Sequence, residues 1–210
     1  MSQSGTSSTT ALEDYASALE GYVIPPIPVD RYTPKLPTHA SQYREIFPRR
    51  AGPKPLTTHH EPHQQITQHG KVEFWDELIA RGGSLPDVAV IDSLVSIPGA
   101  RALWLNESVP KGPDDAFQIE REFAHIHARP DSSIHLMLPM DLAALAMGAG
   151  WGELHTYVYR GLDQPNSIML YAPRTAEELE VIWMLVEESY RYARGEPAQL
   201  TLTPERLDAA

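Results

Sequence analysis

The chain has 210 residues, with 17 Lys plus Arg against 28 Asp plus Glu, nine His and no Cys, for a formal charge of −11. Without Cys there is no disulfide framework, no thiolate metal site and no cysteine nucleophile. The acidic balance argues against wrapping a nucleic-acid backbone, and the length suits one domain of ordinary size with tails.

The first residues, Met1 to Thr10, are Ser/Thr-rich with neither a basic start nor an apolar core. They do not read as a secretory signal, so a cytoplasmic location is expected. Thr10 can cap a short helix over residues 10–20, with Leu12, Tyr15 and Leu19 on one face. Residues 1–20 therefore read as a disordered tail and a short helix. Prolines then crowd the chain, and a run such as Ile24-Pro25-Pro26-Ile27-Pro28 cannot hold a helix. Residues 21–61 read as a Pro-rich extended arm whose apolar residues pack either on the chain's own domain or on a second copy. A homodimer through the arm is the corresponding expectation.

A domain is expected over residues 62–195, followed by a polar tail over 196–210. Val72, Trp75, Leu78 and Ile79 recur at helical spacing, and Gly82-Gly83 is expected to stop that helix. Asp87 to Ser96 reads as mixed helix and turn. Ala100 to Leu105 reads as a strand after the Pro98-Gly99 turn. Glu122 to Ala128 reads as another strand, with Phe123, His125 and His127 on one face and Ala124, Ile126 and Ala128 on the other. The Arg129-Pro130-Asp131-Ser132 turn leads into a strand over Ser133 to Leu138, making a hairpin. Asp141 to Ala149 is a short helix ending at Gly150, and its apolar run to Trp151 is about half the ~20 residues that a membrane span needs. Leu154 to Arg160 and Ser167 to Ala172 read as two more strands. Thr175 caps a last helix, Glu178 completes a capping box, and Leu179, Ile182, Trp183, Val186 and Tyr190 form its apolar stripe up to Gly195. The order of runs predicts an α+β domain: a mostly antiparallel sheet with helices packed on one face, preceded by the arm.

Chemistry concentrates between residues 122 and 155, which hold His125, His127, His135 and His155 with Glu122 and Glu153. Alternate strand residues project from one face about 6–7 Å apart, so His125 and His127 can aim both rings at one ion. His135 or His155 can supply a third ligand, and Glu122 or Glu153 a carboxylate ligand or general base. A divalent metal on His125, His127 and His135 is one expectation. A metal-free His base oriented by Glu is another, and structural histidines that bond their neighbours are a third. The tract His59-His60-Glu61-Pro62-His63 sits in the Pro-rich region and reads as a solvated surface cluster. Trp151 and Arg174 are candidates for substrate binding, Arg174 by holding a carboxylate, although a plain salt bridge explains it equally simply.

From Pro98 to Gly195 the chain resembles the small bacterial and fungal "luciferase domain" family. The residues that carry the resemblance are Pro98-Gly99-Ala100-Arg101-Ala102, Glu122-Phe123-Ala124-His125-Ile126-His127, Ser133-Ile134-His135-Leu136, Gly150-Trp151-Gly152-Glu153 with His155, and Tyr171-Ala172-Pro173-Arg174. Pro62-His63-Gln64-Gln65-Ile66 is similar to a segment these proteins carry before their first helix. The resemblance implies one domain and singles out His125, His127, His135, Glu153 and His155. The leading expectation is an enzyme or small-molecule-binding domain that acts on a small organic substrate, by proton transfer or with a metal. The alternatives are a non-catalytic interaction module and a luciferase-type oxidoreductase.

Overall fold

The computed structural model describes residues 48–200. The expected helix over 10–20, the arm up to residue 47 and any dimer contact through it lie outside the described residues. The first helix, α1 (Val72–Ser84), buries Leu78 against the sheet and runs through both glycines that were expected to end it. Gly82 is there for space: a Cβ would sit 2.4 Å from a Leu103 methyl. The next segment is a strand rather than helix and turn. β1 (Val88–Asp92) pairs antiparallel with β2 (Arg101–Leu105) at all five positions, and its Val-Ala-Val-Ile run suits a pleated, half-buried surface.

β3 (Glu122–Ile126) and β4 (Ile134–Met137) form the expected hairpin, followed by α2 (Met140–Gly148). The expected strand from Leu154 to Arg160 is mostly absent. β5 (Gly152–Leu154) stops after three residues, because the His155 ring accepts the Tyr157 N–H and caps a helical turn, α3 (Thr156–Tyr159). β6 (Ser167–Leu170) and α4 (Ala176–Ala193) complete the domain. The six strands lie in the order β1-β2-β3-β4-β6-β5, every neighbouring pair antiparallel.

α1 and α4 cover one face of the sheet. Leu103, Ala124, Ile126, Ile134 and Leu136 meet Leu179, Ile182, Leu185 and Val186 there, and each large side chain so buried contributes about 1.5–3 kcal/mol. The α4 N-terminus departs from a strict capping box. Thr175 Oγ1 accepts the Glu178 N–H at 3.3 Å, but the Glu178 carboxylate reaches back to Arg174, backbone and guanidinium, rather than to the Thr175 N–H.

One irregularity positions the chemistry. Leu103 pairs with Ala124 but Trp104 pairs with Glu122, so Phe123 is an extra residue in β3, a β-bulge. Phe123 therefore leaves the face expected for it and joins the core, with its ring 6.1 Å from that of Tyr190 on α4. The same step brings Glu122 round to the face that carries His125. Among the described residues, no helix is long and apolar enough to cross a membrane.

Candidate functional site

The sheet face turned away from α1 and α4 carries the histidines. His125 on β3 stands directly across from His135 on β4, and His127 follows two residues later. His155 sits where β5 gives way to α3. A fifth ring, His63, arrives from the segment before α1. His135 lies at the centre, with ring centroids 4.6 Å from His127, 4.7 Å from His155, 5.0 Å from His125 and 5.3 Å from His63. All five rings line one cleft of about 530 Å³, whose walls include Glu61, Val95, Ile97, Tyr157 and Leu162.

Each outer ring has a partner behind it. His125 Nδ1 bonds Glu122 Oε1 at 2.8 Å, and that carboxylate also accepts from Ser93 Oγ and the Leu94 N–H. His127 Nδ1 bonds Asp131 Oδ2 at 2.6 Å, while Asp131 Oδ1 accepts from the Gln65 and Ser133 amides. His63 Nε2 bonds Glu153 Oε1 at 2.8 Å, and Glu153 also holds Lys54 and the Tyr171 hydroxyl. His135 has no such support: its Nε2 is buried with no hydrogen-bond partner, as is His63 Nδ1.

Burial and mutual proximity favour the neutral form of His125, His135 and His155. Burial, then the neighbouring His127, His125, His155 and His63, hold His135 well below the usual imidazole range. His125 is also lowered by burial, against the opposing pull of Glu122. Burial and His63 bring His155 down to about 4. Burial works against ionising Glu153, but the His63 hydrogen bond and the Lys54 ammonium outweigh it and hold the carboxyl at about 2. The cluster thus offers buried imidazole lone pairs, with carboxylates behind them.

The structure brings together His125, His127, His135, Glu153 and His155. It keeps Trp151 and Arg174 apart from them. Trp151 is buried in the core and donates its Nε1–H to Pro48 O, and Arg174 pairs with Glu178 and bonds Gln68 and the Ala51 carbonyl. Two site residues escape a reading of the sequence. His63, expected in a solvated tract, is 2 % exposed and faces His135, whereas His59 and His60 are exposed. The similarity of Pro62 to Ile66 to a family segment was its available signal. Asp131 reads as a turn residue, and the turn is what swings its carboxylate behind His127.

Residues 120–189 match the family model described as Luciferase domain. Among curated proteins, one named luciferase from Armillaria mellea is 30 % identical over 172 residues, covering 74 % of this chain and 64 % of the relative. A luciferase from Neonothopanus nambi is 31 % identical over 167 residues, covering 72 % of this chain and 62 % of the relative. The chain thus spans a little under two thirds of the length of these relatives. No solved structure matches it. The matched residues, 120–189, hold four of the five clustered histidines together with Glu122, Asp131 and Glu153.

Proposed function

We propose that this protein is an oxidoreductase of luciferase type, in which a small organic substrate enters the histidine-lined cleft, loses a proton and is oxidised by dioxygen. The observation that carries this reading is the convergence of five imidazoles on one cleft, four of them within the residues that match the family. The naming of the fungal relatives supports the reaction type.

His63 is the best-placed base. Its Nε2–H is given to Glu153, so the lone pair lies on Nδ1, which is buried and unpartnered. Glu153 orients the ring and supplies the countercharge for the proton that the ring receives. His155 has the opposite tautomer: its Nδ1 accepts the Tyr157 N–H, so its Nε2–H is a donor toward an oxygen of the substrate. Removing a proton from an enolisable or phenolic substrate leaves an anion rich enough in electrons to reduce dioxygen.

The test uses a low-molecular-mass extract of Armillaria mellea mycelium mixed with the purified chain, read by oxygen electrode and photon counter. Oxygen uptake with light is expected. Uptake without light supports an oxidoreductase and removes the emission. Neither signal from folded protein contradicts the proposal and leaves an interaction module with structural histidines.

A further inference from the structure

We propose that His125, His127 and His135 bind one divalent transition-metal ion through their Nε2 atoms, with Glu122 and Asp131 holding two of the rings in the metal-binding tautomer. One ring nitrogen from each member of this trio lies within 4.8 Å of the other two. A tetrahedral site with bonds of about 2.1 Å needs them about 3.4 Å apart, a closure of less than about 1.5 Å. His125 on β3 and His135 on β4 form a direct cross-strand pair, and His127 follows immediately after the end of β3.

Four observations converge on this trio. Glu122 and Asp131 accept hydrogen bonds from Nδ1–H of His125 and His127, which leaves the lone pairs on Nε2, the arrangement that metal-binding histidines use. His135 Nε2 is 98 % enclosed with its residue and has no partner, a cost that a metal bond would remove. Glu122 and Asp131 are buried at 0 % and 1 % exposure, and among the described residues neither pairs with a Lys or Arg. A dication would balance two acidic groups that the protein otherwise encloses without a permanent positive charge. Finally, a set of three imidazole ligands selects zinc, iron(II), cobalt or nickel over magnesium or calcium, which take oxygen ligands.

A second trio, His63, His135 and His155, meets the same distance criterion. Its chemistry fits less well, because His155 Nδ1 is engaged with the Tyr157 amide and its Nε2 then carries the proton. His63 and His155 are left free to move protons beside the ion.

The experiment uses the full chain, purified without a histidine tag and dialysed against a chelator. It is titrated with Zn2+, with Co2+, and anaerobically with Fe2+. Bound metal is measured by elemental analysis after gel filtration, and cobalt also by its visible absorption. One ion per chain is expected, with tetrahedral-type cobalt bands. His127→Ala should lower affinity at least about a hundredfold, and Asp131→Asn about ten- to a hundredfold, since an amide can donate to Nδ1 and reverse the tautomer. Asp131→Asn is nearly isosteric, so it tests the site even if His127→Ala fails to fold. The proposal is overturned if the folded wild-type chain takes up no stoichiometric ion of the three. It is equally overturned if binding survives Asp131→Asn unchanged and is abolished by His155→Ala. Metal uptake is read without substrate, so a chain that binds metal but consumes no oxygen contradicts the reaction and leaves the site standing.

Discussion

A neutral imidazole carries one proton and one lone pair, and the partner at one nitrogen decides what the other can do. His63 and His155 face the same neighbour, His135, with opposite assignments: Glu153 leaves His63 a base, and the Tyr157 amide leaves His155 a donor. His63→Ala is therefore expected to lower the rate of oxygen uptake about a hundredfold or more, within the usual range for a lost general base. Glu153→Gln should lower it by a smaller factor, because the amide can donate to Nε2 and push the proton onto Nδ1. Steady-state uptake by variants that melt like the wild type checks both. His125 and His127 are legible in the sequence, since strand alternation sets His-x-His on one face, whereas the side His135 takes is set by the hairpin register, which pairs it with His125. His63 is not, because its place depends on a fold contact about 70 residues away in sequence, and a Pro-rich tract of polar residues looks solvated (compare His63 and His135). Asp131 is hidden for another reason: the sequence signal of a turn says nothing about where the turn aims a carboxylate.

Elements differ in how much of their form is local. α4 is readable because its cap, its 3.6-residue stripe and its terminal glycine all agree, and Thr175→Ala should cost about 1 kcal/mol in chemical unfolding. β1 is not readable in the same way, since a five-residue run settles as strand only when β2 is there to pair with it. The bulge in β3 is invisible to a period-two reading, yet it moves Phe123 into the core and Glu122 to the histidine face. Crowding between β5 and β6 makes a sharper test. A Cβ at Gly152 would lie 2.3 Å from the Met169 carbonyl oxygen, which is backbone and cannot swing aside. Gly152→Ala should destabilise by roughly 1–3 kcal/mol and displace His155, read as a lower melting temperature together with reduced uptake.

At the scale of the molecule, enclosed neutral histidines tie stability to acidity. The unfolded chain takes protons on its histidines near pH 6.5, whereas the fold holds His125 and His135 low and His155 at about 4. The unfolded state then binds more protons, so stability falls as pH drops from about 6.5 toward 4. Glu153, held at about 2, extends the loss below its unfolded value, from about 4.5 downward. Denaturant melts of the chelator-dialysed chain at pH 5 and pH 7.5 should show the lower midpoint at pH 5, with added metal raising the midpoint at pH 7.5 by mass action. The absence of Cys acquires its meaning here: a metal centre in this chain has to be built from imidazole and carboxylate, and the interior supplies both in contact. The most direct measurement of that centre is anomalous diffraction at the zinc edge from crystals of the full chain grown with stoichiometric Zn2+. The expected result is a single peak about 2.1 Å from Nε2 of His125, His127 and His135. A peak elsewhere, or none between these three rings, would contradict it.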